Sequence, residues 1–305
     1  MTLCLIGREK SKTNLKLLEE AKKKFDSVFF VPVDGIRIGI GDKFDISYRT
    51  SDLNKFNSIY PRIPSGYYSY AYQLLSMLRP EIYTPIKPIS FLLAAERFFL
   101  LSVLRKRGVE TTEAQLAKSA RAAHGILEEE RFPIIIRIPG KSTGVIANTI
   151  TEAKSVIDAL GSLKESIIIE DVVKNMISCY VAEPDILVCV KKKTKDKDVV
   201  FSPGEYRSHK ISVETKHLAI EAARAIDAQV VRVDISINGE PRVVNVDLSP
   251  DLMAPSKVTG VNLPKEVIEH IHDNYRRHQD KPMLMKFFED AKSVMKDVLK
   301  DKHML

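Results

Sequence analysis

The chain has 305 residues, of which 44% are hydrophobic and 29% are charged, and its formal net charge is +7. This length suffices for a well-buried core in two or three subdomains, and no apolar run approaches the ~20 residues of a membrane helix. Cys4, Cys179 and Cys189 lack metal-ligand spacing, which predicts a reducing, cytoplasmic setting without disulfides. The positive net charge permits an anionic partner, but nucleic acid is the least favoured of the possible partners because the charges are spread along the chain.

Residues 1–89 have the pattern of an α/β unit. A helical pattern at 12–25 lies between two apolar runs, and this β-α-β order predicts a parallel sheet. Residues 36–48 alternate as a small hairpin, and the tyrosine-rich segment 67–77 is helical. That helix either packs on the body or forms a wall of an acceptor pocket. The predicted strands of the sheet cover residues 2–7, 27–33 and 58–63.

Residues 90–165 form a second predicted subdomain. Ser90 is the expected N-cap of one long helix that stops at Gly108. Thr151 is the expected cap of a later helix that Gly161 ends. A loop with glycines and hydroxyls, Pro139–Gly144, joins two of the strands. The predicted strands are 111–117, 132–138 and 145–148; one predicted helix, 119–130, lies between the first two strands, and the other, 152–160, follows the third.

The third predicted subdomain, residues 166–263, is followed by a helical extension over 264–305. The subdomain starts with a buried strand at 167–173 and contains a loop at 203–210 and a helix capped by Ser212. The extension shows two amphipathic segments, which pack either on the body or on a second subunit, so a homo-oligomer is possible. Two further strands are predicted at 178–181 and 185–190.

The segment 230–250, VVRVDISINGEPRVVNVDLSP, predicts a hairpin that turns at Asn238-Gly239. If Ile237 pairs with Arg242, Asp234 faces Asn245 and Asp247 faces Arg232. Asp234 and Asp247 are then diagonal neighbours, roughly 7–8 Å apart at the backbone. Two such carboxylates suit Mg²⁺, which takes oxygen ligands and completes its shell with water and phosphate. Alternatively, both are solvated surface charges paired with Arg232.

Over residues 3–262, the order of elements and several short strings resemble the RimK-like carboxylate–amine ligases of the ATP-grasp superfamily. The similarity is carried by Tyr60–Ile63, Arg97, Pro133–Arg137, Gly140–Gly144, Ile167–Val173, Glu205–Ser208, Asp234 and Asp247. It implies an ATP-grasp fold of the α/β class with α+β subdomains. It also implies that ATP lies between the central and C-terminal subdomains.

The resemblance implies a role for each matching residue. Arg97, Arg137 and the loop residues Lys141, Ser142 and Thr143 would hold phosphates, while the hinge residues Glu170, Asp171 and Val172 would face adenine. Asp234 and Asp247 would hold Mg²⁺, and Arg207 would act as the catalytic residue on the substrate carboxylate or acyl phosphate. The implied activity is ATP- and Mg²⁺-dependent ligation of a carboxylate to an amine on an amino acid, peptide or protein tail.

Several positions depart from the pattern of these ligases. Arg97 and Arg137 stand where lysines are usual, the glycine loop is short, and Leu248 replaces an asparagine after the second carboxylate. Arg97 is alternatively a solvated helix charge, and Arg137 alternatively pairs with a carboxylate instead of a phosphate. A second hypothesis therefore stays open, namely a catalytically degenerate protein that binds nucleotide or acts as a scaffold.

Overall fold

A computed structural model describes residues 1–41, 44–141, 143–173, 175–194 and 204–280. Its N-terminal part is an α/β unit with two sheets. The parallel sheet has the order β2-β1-β6, as the β-α-β pattern predicts, and a small antiparallel sheet has the order β3-β4-β5. The elements are β1 (Thr2–Gly7), α1 (Lys12–Ala21), β2 (Ser27–Pro32), β3 (Ile36–Ile40), β4 (Phe44–Tyr48), β5 (Ser51–Asp52), β6 (Ser58–Arg62) and α2 (Tyr68–Ser76).

Two helices, α3 (Pro88–Ala94) and α4 (Arg97–Lys106), replace the one long helix predicted after residue 90. The Glu96 carboxylate accepts hydrogen bonds from the backbone N–H groups of Phe98 and Phe99, so it caps the second helix. Ser90 lies inside α3, where its hydroxyl donates to the Asp227 carbonyl. The prediction that Ser90 is an N-cap is therefore wrong. Gly108 ends α4 with a positive φ of 82°, as expected.

The central sheet has the antiparallel order β7-β10-β8-β9, and two helices, α5 and α6, pack against it over a separate hydrophobic core. Thr149, not Thr151, caps α6, which continues past Gly161 to Ser162. The elements are β7 (Ala114–Ala117), α5 (Ala120–Ile126), β8 (Ile134–Arg137), β9 (Gly144–Ala147), α6 (Ile150–Ser162) and β10 (Ile167–Asp171).

The strand β10 corrects one predicted boundary. It pairs with β7 and with β8, so it belongs to the central sheet and not to a subdomain that begins at 166. Similarly, Phe91, Leu100 and Leu104 of α3 and α4 are buried in the large core that the N-terminal and C-terminal sheets share. The division into 1–89, 90–165, 166–263 and 264–305 otherwise stays a prediction.

The C-terminal sheet has the order β13-β12-β11-β14-β15. Cys179 and Cys189 face each other across β11 and β12 as buried residues. The predicted loop at 203–210 is wrong in part, because residues 204–208 pair with β12 as a strand. The elements are β11 (Met176–Ala182), β12 (Asp185–Thr194), β13 (Gly204–Ser208), α7 (Val213–Ala225), β14 (Val230–Ser236) and β15 (Arg242–Asp247).

The β14–β15 hairpin has the predicted pairing at its functional end and a different one near the turn. Asp234 faces Asn245 and Arg232 faces Asp247, but Ser236 instead of Ile237 faces Arg242. The register shifts between Asp234 and Ile235, which is a β-bulge that adds one residue to β15. Because of the bulge, Val243 lies in the core, and Val244 lines the cleft described below.

Two helices, α8 (Met253–Thr259) and α9 (Leu263–Gln279), close the described part of the chain. The first half of the predicted extension packs on its own body, since α9 lies against α1 and its Leu263, Val267 and Ile271 are buried. The second amphipathic segment, after 280, lies outside the described residues, and self-association through it stays a prediction. None of the helices in the described ranges combines the length and apolarity of a membrane span.

Candidate nucleotide site

A cleft of about 670 Å³ lies between the central sheet and the C-terminal sheet. Its volume is in the range of small-molecule sites. The central sheet contributes side chains of β8 and β10, the C-terminal sheet contributes those of β11 to β15, and α4 closes one end. Five cationic and four acidic side chains line it: Arg97, Arg137, Lys141, Lys192, Arg232, Glu170, Asp171, Asp234 and Asp247.

On the central wall, one carboxylate holds two arginines. Arg97 and Arg137 each direct Nε toward a different oxygen of Glu170, and the Arg137–Glu170 distance is 3.2 Å. Glu170 and Arg137 are buried, at 4% and 5% exposure. Burial lowers the pKa of Arg137, and the Glu170 carboxylate opposes that effect. We call Arg97, Glu170 and Arg137 the Glu170 cluster; its formal charge is +1.

Antiparallel pairing explains why Glu170 meets Arg137. Glu170 lies opposite Ile135 and Arg137 lies opposite Ile168, so both point to the same face as diagonal neighbours. Arg97, the first residue of α4, reaches the same carboxylate from outside the sheet. The alternative in which Arg137 pairs with a carboxylate is the arrangement observed, and Arg97 is not a solvated helix charge.

On the opposite wall, one arginine holds two carboxylates. Arg232 donates from Nε and Nη2 to the two oxygens of Asp234, each at 3.0 Å, and its Nη1 lies 3.1 Å from Asp247 Oδ2. Burial works against the charged guanidinium, but the two carboxylates outweigh it and raise the pKa of Arg232. We call Arg232, Asp234 and Asp247 the Arg232 cluster; its formal charge is −1.

The loop after β8 places some predicted phosphate ligands at the cleft and not others. Gly140 and Lys141 line it, whereas Thr143 is exposed and is not part of its wall. Ser142 lies outside the described residues. At the hinge, Glu170 and Asp171 line the cleft together with Val173, and Val172 does not. Roles in nucleotide binding stay predictions for all of these residues.

Arg207 does not line the cleft, which corrects its predicted position. It faces Lys191 across β12 and β13, and its side chain is exposed. Because side chains alternate along a strand, its neighbour Tyr206 points the other way, into the cleft, together with Lys192. Lys192 and Tyr206 are site residues that the sequence patterns do not predict. Lys192 lies beyond the predicted strand 185–190, and Tyr206 lies in the predicted loop 203–210, where no alternation is expected.

The tyrosine-rich helix contributes to the end of the cleft near Asp247. Tyr68 lines the cleft beside Pro64 and Ser65, and it packs edge-on against Phe91 with ring centroids 5.3 Å apart. Burial and then the Asp247 charge raise the pKa of Tyr68. This tyrosine therefore fits the alternative in which the helix walls a substrate pocket.

Comparison with known proteins decides the family. The family model of the RimK-like ATP-grasp domain matches residues 94–271, which is more than half of the chain. The chain belongs to the RimK-like ATP-grasp family. Membership confirms the predicted fold class and the resemblance on which it rested.

Curated relatives agree with this family. The chain is 27% identical over 252 residues to a protein named "Probable alpha-L-glutamate ligase" from Pseudomonas fluorescens, strain Pf-5, which covers 76% of this chain and 81% of that one. The same identity and coverage hold for the protein of that name from Pseudomonas putida, strain GB-1.

Solved structures show the same fold at low sequence identity. A RimK domain ATP-grasp protein from Sphaerobacter thermophilus superposes with a TM-score of 0.72 at 14% identity, over 88% of this chain and 99% of that one. The ATP-grasp ligase PsnB with its minimal precursor gives 0.71 at 12% identity, over 88% and 97%. The D-cycloserine synthetase DcsG gives 0.68 at 12% identity, over 90% and 100%.

The magnesium site expected of this RimK-like chain does not fit the side chains at Asp234 and Asp247. A magnesium ion needs carboxylate oxygens with free lone pairs in an octahedral shell. Here both oxygens of Asp234 accept from Arg232, and Oδ1 also accepts from Ser178 at 2.6 Å. The two oxygens of Asp247 lie against Arg232 and the Ser249 N–H. Within the described ranges, no group of three or more His, Cys, Asp or Glu side chains is arranged for a metal.

Proposed function

We propose that this RimK-like chain is an ATP-dependent ligase that joins a carboxylate to an amine through an acyl phosphate. The observation that carries the proposal is the cleft of about 670 Å³ between the two sheets, in which cations of the central wall face the β14–β15 hairpin. In the proposed complex, ATP enters as its magnesium complex, so the metal belongs to the substrate.

The nucleotide phosphates would lie against the Glu170 cluster and Lys141. The cluster has a formal charge of +1, and Lys141 adds another positive charge from the loop after β8. Glu170 fixes the direction of both guanidinium groups, so they need little reordering when a phosphate arrives. Adenine would lie along the end of β10, where Asp171 lines the cleft.

The reaction would proceed in two displacements that balance. A substrate carboxylate oxygen attacks the γ-phosphorus of ATP, the bond to the bridging oxygen breaks, and ADP leaves. The amine lone pair then attacks the acyl carbon, the carbon–oxygen bond to phosphate breaks, and the amine loses a proton. The protein contributes chiefly position and charge neutralisation, because the transferred phosphoryl group is highly anionic.

We propose an amino acid as the carboxylate or amine partner, with glutamate first, and a peptide or protein tail as the other. Support comes from the relatives named alpha-L-glutamate ligase and from the PsnB structures with precursor peptide. The cleft offers Lys192 for a substrate carboxylate. The half-buried ring of Tyr206 offers an aromatic surface for the chain of a peptide.

A trapping assay tests this function. The full chain is incubated with magnesium ATP, glutamate and hydroxylamine, because hydroxylamine converts an acyl phosphate into a stable hydroxamate. We expect ADP and hydroxamate to appear in equal amounts, and both to require the carboxylic acid. If ATP binds but no carboxylic acid in an amino-acid and peptide panel stimulates ADP release, the ligase proposal is wrong.

One observation favours the second candidate, a protein that binds nucleotide without turnover. In both clusters every charged side chain already has a partner of opposite charge, and the formal charges of the two clusters, +1 and −1, cancel without a substrate. Such a protein would bind ATP in calorimetry and give no ADP in the trapping assay. Lack of ATP binding would exclude both candidates.

A further inference from the structure

The Arg232 cluster has the charge arrangement of a metal site in which a guanidinium stands where the cation would be. Two carboxylates converge from neighbouring strands, and the planar fork of Arg232 lies between them at 3.0 to 3.1 Å. Asp234 is only 3% exposed, so its charge needs a partner inside the protein. The guanidinium also lines the cleft, on the wall opposite the Glu170 cluster.

Strand geometry makes this arrangement a property of the sequence. Residues two apart on a strand point to the same face, so Arg232 lies on the face of Asp234. The pairing of β14 with β15 puts Asp247 directly opposite Arg232. The β-bulge lies beyond Asp234, toward the turn, so it leaves this pairing unchanged.

We propose that Arg232 is a built-in cation that replaces a divalent metal ion bound by Asp234 and Asp247. The two carboxylates hold the guanidinium in place, and the guanidinium presents fixed positive charge to the cleft. Its role toward nucleotide phosphates rests on the proposed function. The replacement of the metal does not rest on the proposed function, because it concerns only side chains of this protein.

A divalent ion and Arg232 exclude each other at these carboxylates. To reach Asp234, the ion must break the two hydrogen bonds between Arg232 and Asp234. The Arg232 guanidinium, whose side chain is 22% exposed, would then lie beside the positive charge of the ion. Ser178 and Asn245 further occupy the oxygens of Asp234, with Ser178 Oγ at 2.6 Å and Asn245 Nδ2 at 3.4 Å. Removing the arginine should therefore create a metal site instead of merely weakening one.

The test measures Mn²⁺ binding by electron paramagnetic resonance of the free ion, with the full chain and without nucleotide. We expect no stoichiometric binding to the wild type below about 1 mM, whereas Arg232→Ala should bind one ion at least ~10-fold more tightly through its freed carboxylates. That gain should disappear in Arg232→Ala/Asp234→Asn. Arg242→Ala is the matched control, because it removes an arginine from the same hairpin that pairs with Glu113 at the surface.

Two results would overturn the inference: stoichiometric Mn²⁺ binding by the wild type that Asp234→Asn abolishes, or a folded Arg232→Ala variant that gains no Mn²⁺ binding. If the alanine variant fails to fold, Arg232→Gln carries the same test, since it loses the charge but keeps a long polar side chain. Because these titrations contain no nucleotide, their outcome is independent of ATP binding. A failure of the proposed function is detected separately, by ATP calorimetry and the hydroxylamine trapping assay.

Discussion

At the residue scale, two charged side chains organise the cleft, and each is surrounded by opposite charges. Glu170 holds Arg97 and Arg137, and Arg232 holds Asp234 and Asp247. The sequence predicts all four residues at the edges of these clusters as site residues. For Glu170 it predicts only a hinge position and for Arg232 only an alternative partner of the aspartates, because a strand pattern alone does not tell which distant strand supplies the opposite charge.

The role of Glu170 leads to a stability prediction. Glu170→Gln leaves Arg137, which is 5% exposed, beside Arg97 without their shared carboxylate. We expect the free energy of unfolding to fall by ~3 kcal/mol, as for other buried ion pairs that lose one partner. Denaturant unfolding monitored by circular dichroism measures this. Asp171→Asn, at the exposed neighbouring position, is the control, and equal losses in both variants would contradict the assigned role.

At the scale of elements, the glycine at the start of β9 determines how closely β9 approaches β8. A Cβ atom built on Gly144 would lie 2.8 Å from Arg137 Cγ and 2.8 Å from Ile135 Cγ2. The predicted loop Pro139–Gly144 therefore ends in a glycine that packing requires. Gly140 serves the turn itself, where its φ is +72°.

We expect Gly144→Ala to destabilise the protein and to displace Arg137, because both close contacts involve side chains packed inside the sheet. A loss of about 1–3 kcal/mol is typical of overpacking, and ATP affinity should fall with it. Thermal and denaturant unfolding measure the first effect, and calorimetry measures the second. Gly125→Ala is the matched control, since nothing lies within 4 Å of its Cβ and alanine favours the helix α5. A stable Gly144→Ala variant with wild-type ATP affinity would refute this account.

Elements also show where sequence patterns stop being informative. The alternation at 230–250 predicted the hairpin and the pairs Asp234–Asn245 and Arg232–Asp247, which the structure has. The bulge that places Val243 in the core and Val244 at the cleft was not predictable, because one extra residue leaves the hydrophobic pattern almost unchanged. The break between α3 and α4 was missed because Glu96 is a less usual cap than Ser, Thr, Asp or Asn.

At the scale of the whole molecule, polar contacts join the N-terminal unit to the segment after β15. Arg62, at the end of β6, donates to the Pro250 carbonyl at 2.6 Å and to Asn14 at 2.8 Å. The Asp251 carboxylate accepts from Thr13 at 2.6 Å and from the N–H groups of Met253 and Ala254. These contacts link α1 to the loop that follows Asp247, so the N-terminal unit supports the end of the cleft at the Arg232 cluster.

This link predicts a pH dependence of stability. Burial alone would raise the pKa of Asp251, but its hydrogen bonds with Thr13, Ala254 and Met253 lower the pKa below the ordinary value. A carboxyl group whose pKa is lower in the folded state than in the unfolded state stabilises the fold at pH values above its unfolded-state pKa. This stabilisation is lost as the pH falls through the folded-state pKa, below about 4.

We therefore expect Asp251→Asn to cost about 1 kcal/mol at pH 7, because a neutral amide oxygen accepts the hydrogen bonds of Thr13, Met253 and Ala254 more weakly than a carboxylate. The difference from the wild type should shrink as the pH falls below about 4. Denaturant unfolding between pH 3 and pH 7 measures it, with Glu128→Gln at an exposed position as control. A difference that stays constant with pH would mean that the charge of Asp251 does not matter.

The most direct test of the central claim, that the cleft between the two sheets binds ATP, is a calorimetric titration of a double variant. Lys141→Ala/Lys192→Ala removes one cation from each wall, and neither lysine belongs to the two clusters that stabilise the walls. We predict a loss of ATP affinity of at least ~10-fold with an unchanged fold, because Lys141 loses a charged hydrogen bond to phosphate that contributes roughly 1.5–3 kcal/mol. Lys192 no longer adds its positive charge to the cleft that receives the anionic nucleotide. Lys154→Ala/Lys216→Ala, on the exposed faces of α6 and α7, is the control of equal charge. Equal ATP affinity in the two double variants would contradict the claim.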